Sequence, residues 1–179
     1  MTAPLSLVGT YGSPYSLKVR AVLRYRHIPF TWVLQNTPSE RALPKPPVAI
    51  IPVLGFPDAS GAVTEVMVDS TPQIARLETM FSERSLVPTD PAIAFLDLLI
   101  EDYADEWVTK AMYHYRWAPP EAVARACRLL PVWPMLHADD ARLDQWGDFI
   151  VDRQVGRRAL VGSTDANAPV IESSYVRLL

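Results

Sequence analysis

Apolar positions along this chain recur with a strand-like period near the N-terminus and again before residue 70, and with a helical one elsewhere. Leu5-Ser6-Leu7-Val8-Gly9-Thr10 reads as a buried strand. Val19, Val22 and Leu23 then fall at i, i+3 and i+4, which predicts an amphipathic helix over about residues 14–27. Ile28-Pro29-Phe30 turns the chain into a second strand, Phe30 to Leu34. From Asn36 to Pro47 the prolines at 38, 44, 46 and 47 exclude a long regular element, and one short helix fits there. Val48 to Phe56 is apolar and strand-like, but Pro52 inside it requires a bend, an edge or a cis bond. Asp58-Ala59-Ser60-Gly61 is a hairpin turn, and Val63, Val66 and Val68 mark the strand after it. Asp69-Ser70-Thr71-Pro72 opens a helix with Ile74, Leu77 and Phe81 on one face.

The order β-α-β, an irregular crossing, then β-β-α predicts one small mixed sheet with helices packed on it, over residues 1–81. Residues 82–91 mix Ser, Pro, Thr and Asp without periodicity and read as a linker. Beyond it the strand signals stop, and residues 92–179 read as all-helical. Ala92, Phe95, Leu96, Leu99, Tyr103 and Trp107 trace one stripe. Carried to Trp117, that helix is about 26 residues, roughly 39 Å long. Ala118-Pro119-Pro120 ends it; Glu121–Leu130, Ala138–Val155 and Asn167–Leu179 are the further helices.

Composition narrows the function classes. Of 179 residues 49% are hydrophobic and 21% charged, as in an ordinary globular protein. A net charge of -3 without a basic run argues against a nucleic-acid binder. The single cysteine, Cys127, excludes an internal disulfide or a CxxC pair and fits a reducing cytosol. No apolar run approaches the roughly 18–20 residues of a membrane span, and the N-terminus does not read as a signal peptide.

Candidate chemistry sits at the helix starts. Ser13-Pro14 places a hydroxyl and free backbone N–H groups at a helix's positive end, which suits an anion and equally suits a plain N-cap. Asp69-Ser70 is likewise a cap pair, and Ser70-x-x-Gln73 has the form of a capping box. His114, in the aromatic run Tyr113-His114-Tyr115-Arg116-Trp117, reads as core or interface rather than a catalyst. Cys127, with no histidine nearby, reads as an inert thiol.

Four stretches together carry a resemblance: Ser13-Pro14-Tyr15-Ser16-Leu17-Lys18-Val19-Arg20, Ile28-Pro29-Phe30, Ile51-Pro52-Val53-Leu54 and Asp69-Ser70. In that order and spacing the chain resembles the cytosolic glutathione transferases of serine type, and its long acidic-aromatic helix resembles a bacterial subgroup without an assigned substrate. The resemblance implies a thioredoxin-like domain followed by an all-helical domain, a homodimer in the cytoplasm, and glutathione as co-substrate with no metal. It implies that Ser13 donates a hydrogen bond to the glutathione thiolate and that Ile51, before a cis-Pro52, pairs with the tripeptide backbone. Ser70 would hold the γ-glutamyl carboxylate and Asp69 its α-ammonium. The implied reaction joins glutathione to a small, apolar electrophile; the alternative is a non-catalytic glutathione-binding or dimeric interaction protein.

Three departures limit that expectation. Ser rather than Cys at position 13 removes the mixed-disulfide chemistry of the reductase-like members. Gln35, Arg41 and Lys45 all compete as the holder of the glycine carboxylate. The family's [ST]-x-x-D capping box at the start of a core helix is not recognised beyond residue 92, which implies a shortened or incomplete helical domain.

Overall fold

The computed structural model describes residues 3–179. Chain contacts divide it into two compact units, one up to Val87 together with Trp133–Leu136, the other Pro88–Val132 with His137–Leu179.

The first unit follows the expected order: β1 (Leu5–Gly9), α1 (Pro14–Tyr25), β2 (Phe30–Leu34), α2 (Pro38–Arg41), β3 (Val53–Pro57), β4 (Val63–Val68) and α3 (Ser70–Met80). The sheet runs β2-β1-β3-β4, with β1 parallel to β2 and the other pairings antiparallel. A helical crossover leaves β1 and β2 parallel, whereas the short Asp58–Gly61 turn can only return the chain antiparallel. In that turn Asp58 Oδ1 accepts from Ser60 N at 2.8 Å, and Gly61 takes a φ of +87°. Strand alternation then sorts the two faces. Leu5, Leu7, Leu54 and Phe56 pack with Val19, Leu23 and Leu77 from α1 and α3, while Val8, Val33 and Val53 pack on the opposite face. Gly9 lets α1 approach, since a side-chain carbon there would meet Ser16 Cβ at 2.7 Å and Trp32 at 2.9 Å.

His27 ends α1 as its position suggests, at φ +55°, with Ile28 N bonded to Leu23 O and His27 N to Arg24 O. The preceding Arg26 is buried at 3% exposure. Its guanidinium donates to Phe81 O and Glu83 O, and its Nη1 lies 2.8 Å from Glu78 Oε1, outside hydrogen-bond alignment. The C-terminal ends of α1 and α3 are thereby tied together.

The second unit holds α4 (Pro91–Asp102), a π-helical stretch (Tyr103–Val108), α5 (Thr109–Trp117), α6 (Pro120–Leu129), α7 (Asp140–Val155), a 3-10 turn (Arg158–Val161) and α8 (Ala168–Leu178). Three features differ from the sequence reading. The long helix is not uniform: the π stretch sits in its middle, and periodicity counted at 3.6 residues per turn does not reveal it. The apolar stripe is largely exposed, with Phe95 at 64% and Trp107 at 62%. Ahead of α8, Thr164 Oγ1 accepts from Asn167 N at 3.3 Å, but the Asn167 side chain donates to Gly162 O, so the reciprocal bond of a capping box is not made. Asn167 stands where the searched motif has Asp. Ser70-x-x-Gln73 is no capping box either: Asp69 caps α3 by accepting from Thr71 N at 3.2 Å, and Gln73 points elsewhere.

His114 is buried in α5, with Nδ1 2.9 Å from Ser163 Oγ and Nε2 3.4 Å from Glu172 Oε1, so it joins α5 to the segment before α8 and to α8 itself. Of the tryptophans here, Trp117 is core at 4% exposure, while Trp146 stacks on Phe149 at 5.1 Å. Helices α6 and α7 touch at Gly147, where a Cβ would come within 2.5 Å of the Cys127 carbonyl oxygen and 2.8 Å of its sulfur. Burial first, then the charges of Asp148 and Asp144, push the Cys127 thiol above its ordinary value.

Two outcomes are expected. Gly147→Ala gains up to about 1 kcal/mol in helix propensity but overpacks a backbone contact, which costs about 1–3 kcal/mol. A net loss in denaturant unfolding is therefore expected, and a gain would mean that the helices part easily. A raised pKa lowers the thiolate fraction, so Cys127 in the folded protein reacts with iodoacetamide at pH 8 more slowly than the urea-unfolded chain, timed by mass spectrometry.

Candidate functional site

The sheet register gathers the sequence-predicted residues at one end of the first unit. Val8 of β1 pairs with Val53 of β3, and Val53 pairs with Val68 of β4. Ser13 follows β1, Ile51-Pro52 immediately precedes Val53, and Asp69-Ser70 immediately follows Val68. Three separate stretches thus leave or enter the sheet side by side. With strands about 4.8 Å apart, the row from β1 to β4 spans about 10 Å, close to the length of an extended tripeptide.

Ser13 is the N-cap of α1, with extended φ/ψ of -97° and 116°, and its Oγ accepts from Ser16 N at 3.2 Å. The capping role read from Ser13-Pro14 is therefore present. It uses an acceptor lone pair and leaves the hydroxyl proton available to a further acceptor. The first turn of α1 adds its outward N–H groups and partial positive charge.

The Ile51–Pro52 peptide is cis, as the proline inside an apolar run suggested. Pro52 is buried, and β3 starts only at Val53, so Ile51 stands outside the ladder. Among the described residues, none hydrogen-bonds the Ile51 main chain. It is an open edge.

At the head of α3, Asp69 takes a φ of +73°, rare for a residue with a side chain, and turns the chain sharply from β4 into the helix. Ser70 is 2% exposed, and its Oγ is buried without a hydrogen-bond partner among the described residues. An unmet buried hydroxyl costs about 1–3 kcal/mol, which an arriving acceptor would recover. Lys18 Nζ reaches Thr71 Oγ1 at 3.4 Å, bringing a cation from α1 to the same helix head.

Gln73 holds two of these corners together, and the sequence reading assigned it elsewhere. Fully buried, its Nε2 donates to Pro52 O at 2.9 Å and to Met67 O at 2.7 Å. One amide thus links the cis-proline turn and the end of β4 to α3. A polar residue on the apolar face that carries Leu77 was the available signal. Beside Ser13, Tyr11 is tilted against Trp32 at 5.5 Å and edge-on to Trp133 at 6.4 Å, while the Arg20 guanidinium lies over both the Tyr11 and Trp32 rings. That aromatic group was not anticipated either, because Trp133 is distant in sequence. Among the described residues, Gln35, Arg41 and Lys45 make no contact that singles one out as an anion holder, and no cluster of potential metal ligands is found.

Comparison with known proteins agrees with the fold of this unit. Residues 7–85, somewhat under half of the chain, match the family described as glutathione S-transferase, N-terminal domain. This unit has a glutathione S-transferase N-terminal fold. No curated protein sequence matches. Among solved structures, a glutathione S-transferase from Methylobacterium radiotolerans in complex with glutathione sulfonate is 21% identical, covering 98% of this chain and 90% of that one at a TM-score of 0.51. Another from Rhodospirillum rubrum is 22% identical, covering 83% and 62% at 0.51. The tau class enzyme from mango is 18% identical, covering 84% and 58% at 0.46. The chain therefore spans about three-fifths of the length of the last two. The fold class expected from the sequence, thioredoxin-like sheet then helices, is the one observed.

Replacing Gln73 by Leu keeps the volume and leaves the Pro52 and Met67 carbonyls without this donor. Unfolding free energy is expected to drop by about 2–3 kcal/mol; a change under about 0.5 kcal/mol would show that the bridge is not structural.

Proposed function

We propose that this protein is a serine-type, glutathione transferase-like enzyme that binds glutathione across the row Ser13, Ile51-Pro52 and Asp69-Ser70 and joins its thiol to a small apolar electrophile. The observation that carries the reading is the in-register gathering of those three stretches, with the Ser70 hydroxyl and the Ile51 main chain both lacking a hydrogen-bond partner among the described residues. The family match over residues 7–85 and the Methylobacterium structure's glutathione sulfonate support it.

In this reading the tripeptide lies along the end of the sheet. Ile51 N–H and C=O pair with its cysteinyl backbone as an added strand would. The Ser70 hydroxyl and the head of α3 take the γ-glutamyl carboxylate, and the exposed carboxylate of Asp69 takes the α-ammonium. The cysteinyl sulfur then sits at the head of α1. The Ser13 O–H donates to it and, with the helix field, favours the thiolate by lowering a pKa near 8.5. Two units require only about 2.7 kcal/mol. The thiol proton leaves to solvent, the sulfur forms a bond to the electrophilic carbon, and the leaving group departs with its electron pair. No redox change occurs, in keeping with serine at position 13. A homodimer belongs to the same reading, supported by the exposed apolar residues of α4, as does a cytoplasmic location, supported by the single cysteine.

Retention on immobilised glutathione tests the site, and failure of the folded protein to bind removes it. Asp69→Ala is expected to weaken retention with the fold kept; unfolding instead assigns Asp69 to capping alone. Turnover of a chlorodinitrobenzene acceptor tests the chemistry. Glycine at an N-cap costs only a few tenths of a kcal/mol relative to serine, so Ser13→Gly removes the hydroxyl without unfolding α1. The thiolate fraction falls and its nucleophilicity partly compensates, leaving a kcat loss of about tenfold. Equal rates take Ser13 out of the mechanism, and retention without turnover on a broad acceptor panel leaves a binding protein.

A further inference from the structure

The proline-rich stretch after α2 has no part in the glutathione row, and its sequence dictates its backbone. Pro44, Pro46 and Pro47 fix φ at about -65°. Leu43, Lys45 and Pro46 each precede a proline and are held extended. Those restrictions describe a polyproline II helix from Pro44 to Pro47, with roughly three residues per turn. Pro44 and Pro47 therefore fall on one edge. The chain accordingly bends at Leu43 and again from Pro47 to Ala49, with no turn at residues 44–46.

Both ends of the stretch are anchored. Leu43 packs on Val8, Val33 and Val53, and beyond Ile51 the buried Pro52 leads into β3. Between these anchors the backbone is unused. Among the described residues no carbonyl from Pro44 to Pro47, nor the Lys45 N–H, takes part in a hydrogen bond. Pro47 is exposed, and Val48 beside it is 55% exposed. Arg41, three residues before Pro44, is exposed and has no carboxylate partner among the described residues. The acid next to it, Glu40, accepts from Asn36 N instead. Free carbonyls, paired prolines and a cation at one end are what an aromatic-lined groove with an acidic flank recognises. Because the segment is already ordered, docking costs it little conformational freedom.

We propose that Pro44–Val48 is a docking segment for a protein domain that reads polyproline II helices. The aromatic side chains of that domain's groove lie against Pro44 and Pro47, and its acidic flank lies against Arg41. The inference stands apart from the glutathione reading, whose row contains none of these residues.

Titration of a ¹⁵N-labelled SH3 domain, one with acidic residues flanking its aromatic groove, with the full chain tests it. Saturable amide shifts confined to the groove and its acidic flank are expected. Pro47→Ala removes one proline of the edge at an exposed position and weakens binding about tenfold. Arg41→Glu weakens it about fivefold or more. Arg24→Glu, which reverses an exposed cation on α1, leaves binding at the wild-type value. Thermal unfolding of each variant reports that the fold is kept. No shifts at millimolar protein overturn the proposal, as does binding that Pro47→Ala or Arg41→Glu leaves unaltered. An equal loss from Arg24→Glu also overturns it, since general charge attraction would then account for the binding.

Discussion

The end of the sheet that carries the candidate site depends on one buried amide. Gln73 donates to Pro52 O and Met67 O at once, and both carbonyls belong to stretches flanking the site. Removing such a donor leaves acceptors buried without partners, which costs more than the bond itself contributes. The same two bonds fix α3 against β3 and β4 and so set where Asp69 and Ser70 point. Fold and site are not separable here: the interaction that closes the sheet's end onto α3 is also the one that aligns two of the three corners.

Capping and catalysis coexist at Ser13 for a similar reason. A hydroxyl accepts from Ser16 N and retains its proton, so the helix start satisfies its own backbone while still presenting a donor. Cysteine there would offer a weaker cap and a different reaction. At Ser70 the balance differs, since its buried hydroxyl has no partner among the described residues and Asp69 does the capping. One serine is used twice and the other is held in reserve, a division that local sequence does not disclose.

Much of this was legible from residue pattern because the signals were local. Strand Phe30–Leu34, the hairpin at Asp58–Gly61, the proline interruption at Pro52 and the start of α3 each follow from side-chain period or backbone restriction within a few residues. What was not legible depended on long-range or exceptional geometry. Gln73 reads as a capping residue until its carbonyl partners six and 21 residues away are seen. The π stretch has no signature at 3.6-residue spacing. The stripe from Phe95 to Trp107 was correctly apolar, yet periodicity cannot say whether an apolar stripe is covered.

The central claim is that one end of the sheet, between the heads of α1 and α3, is where glutathione lies. Amide chemical shifts of the ¹⁵N-labelled protein titrated with glutathione test it most directly. The account predicts saturable shifts at Tyr15, Ser16, Ile51, Ser70 and Thr71, with Ser60 and Gly61 at the opposite end of β3 and β4 unmoved. Shifts confined to the hairpin end or to the helical unit, or none at millimolar glutathione, would contradict it.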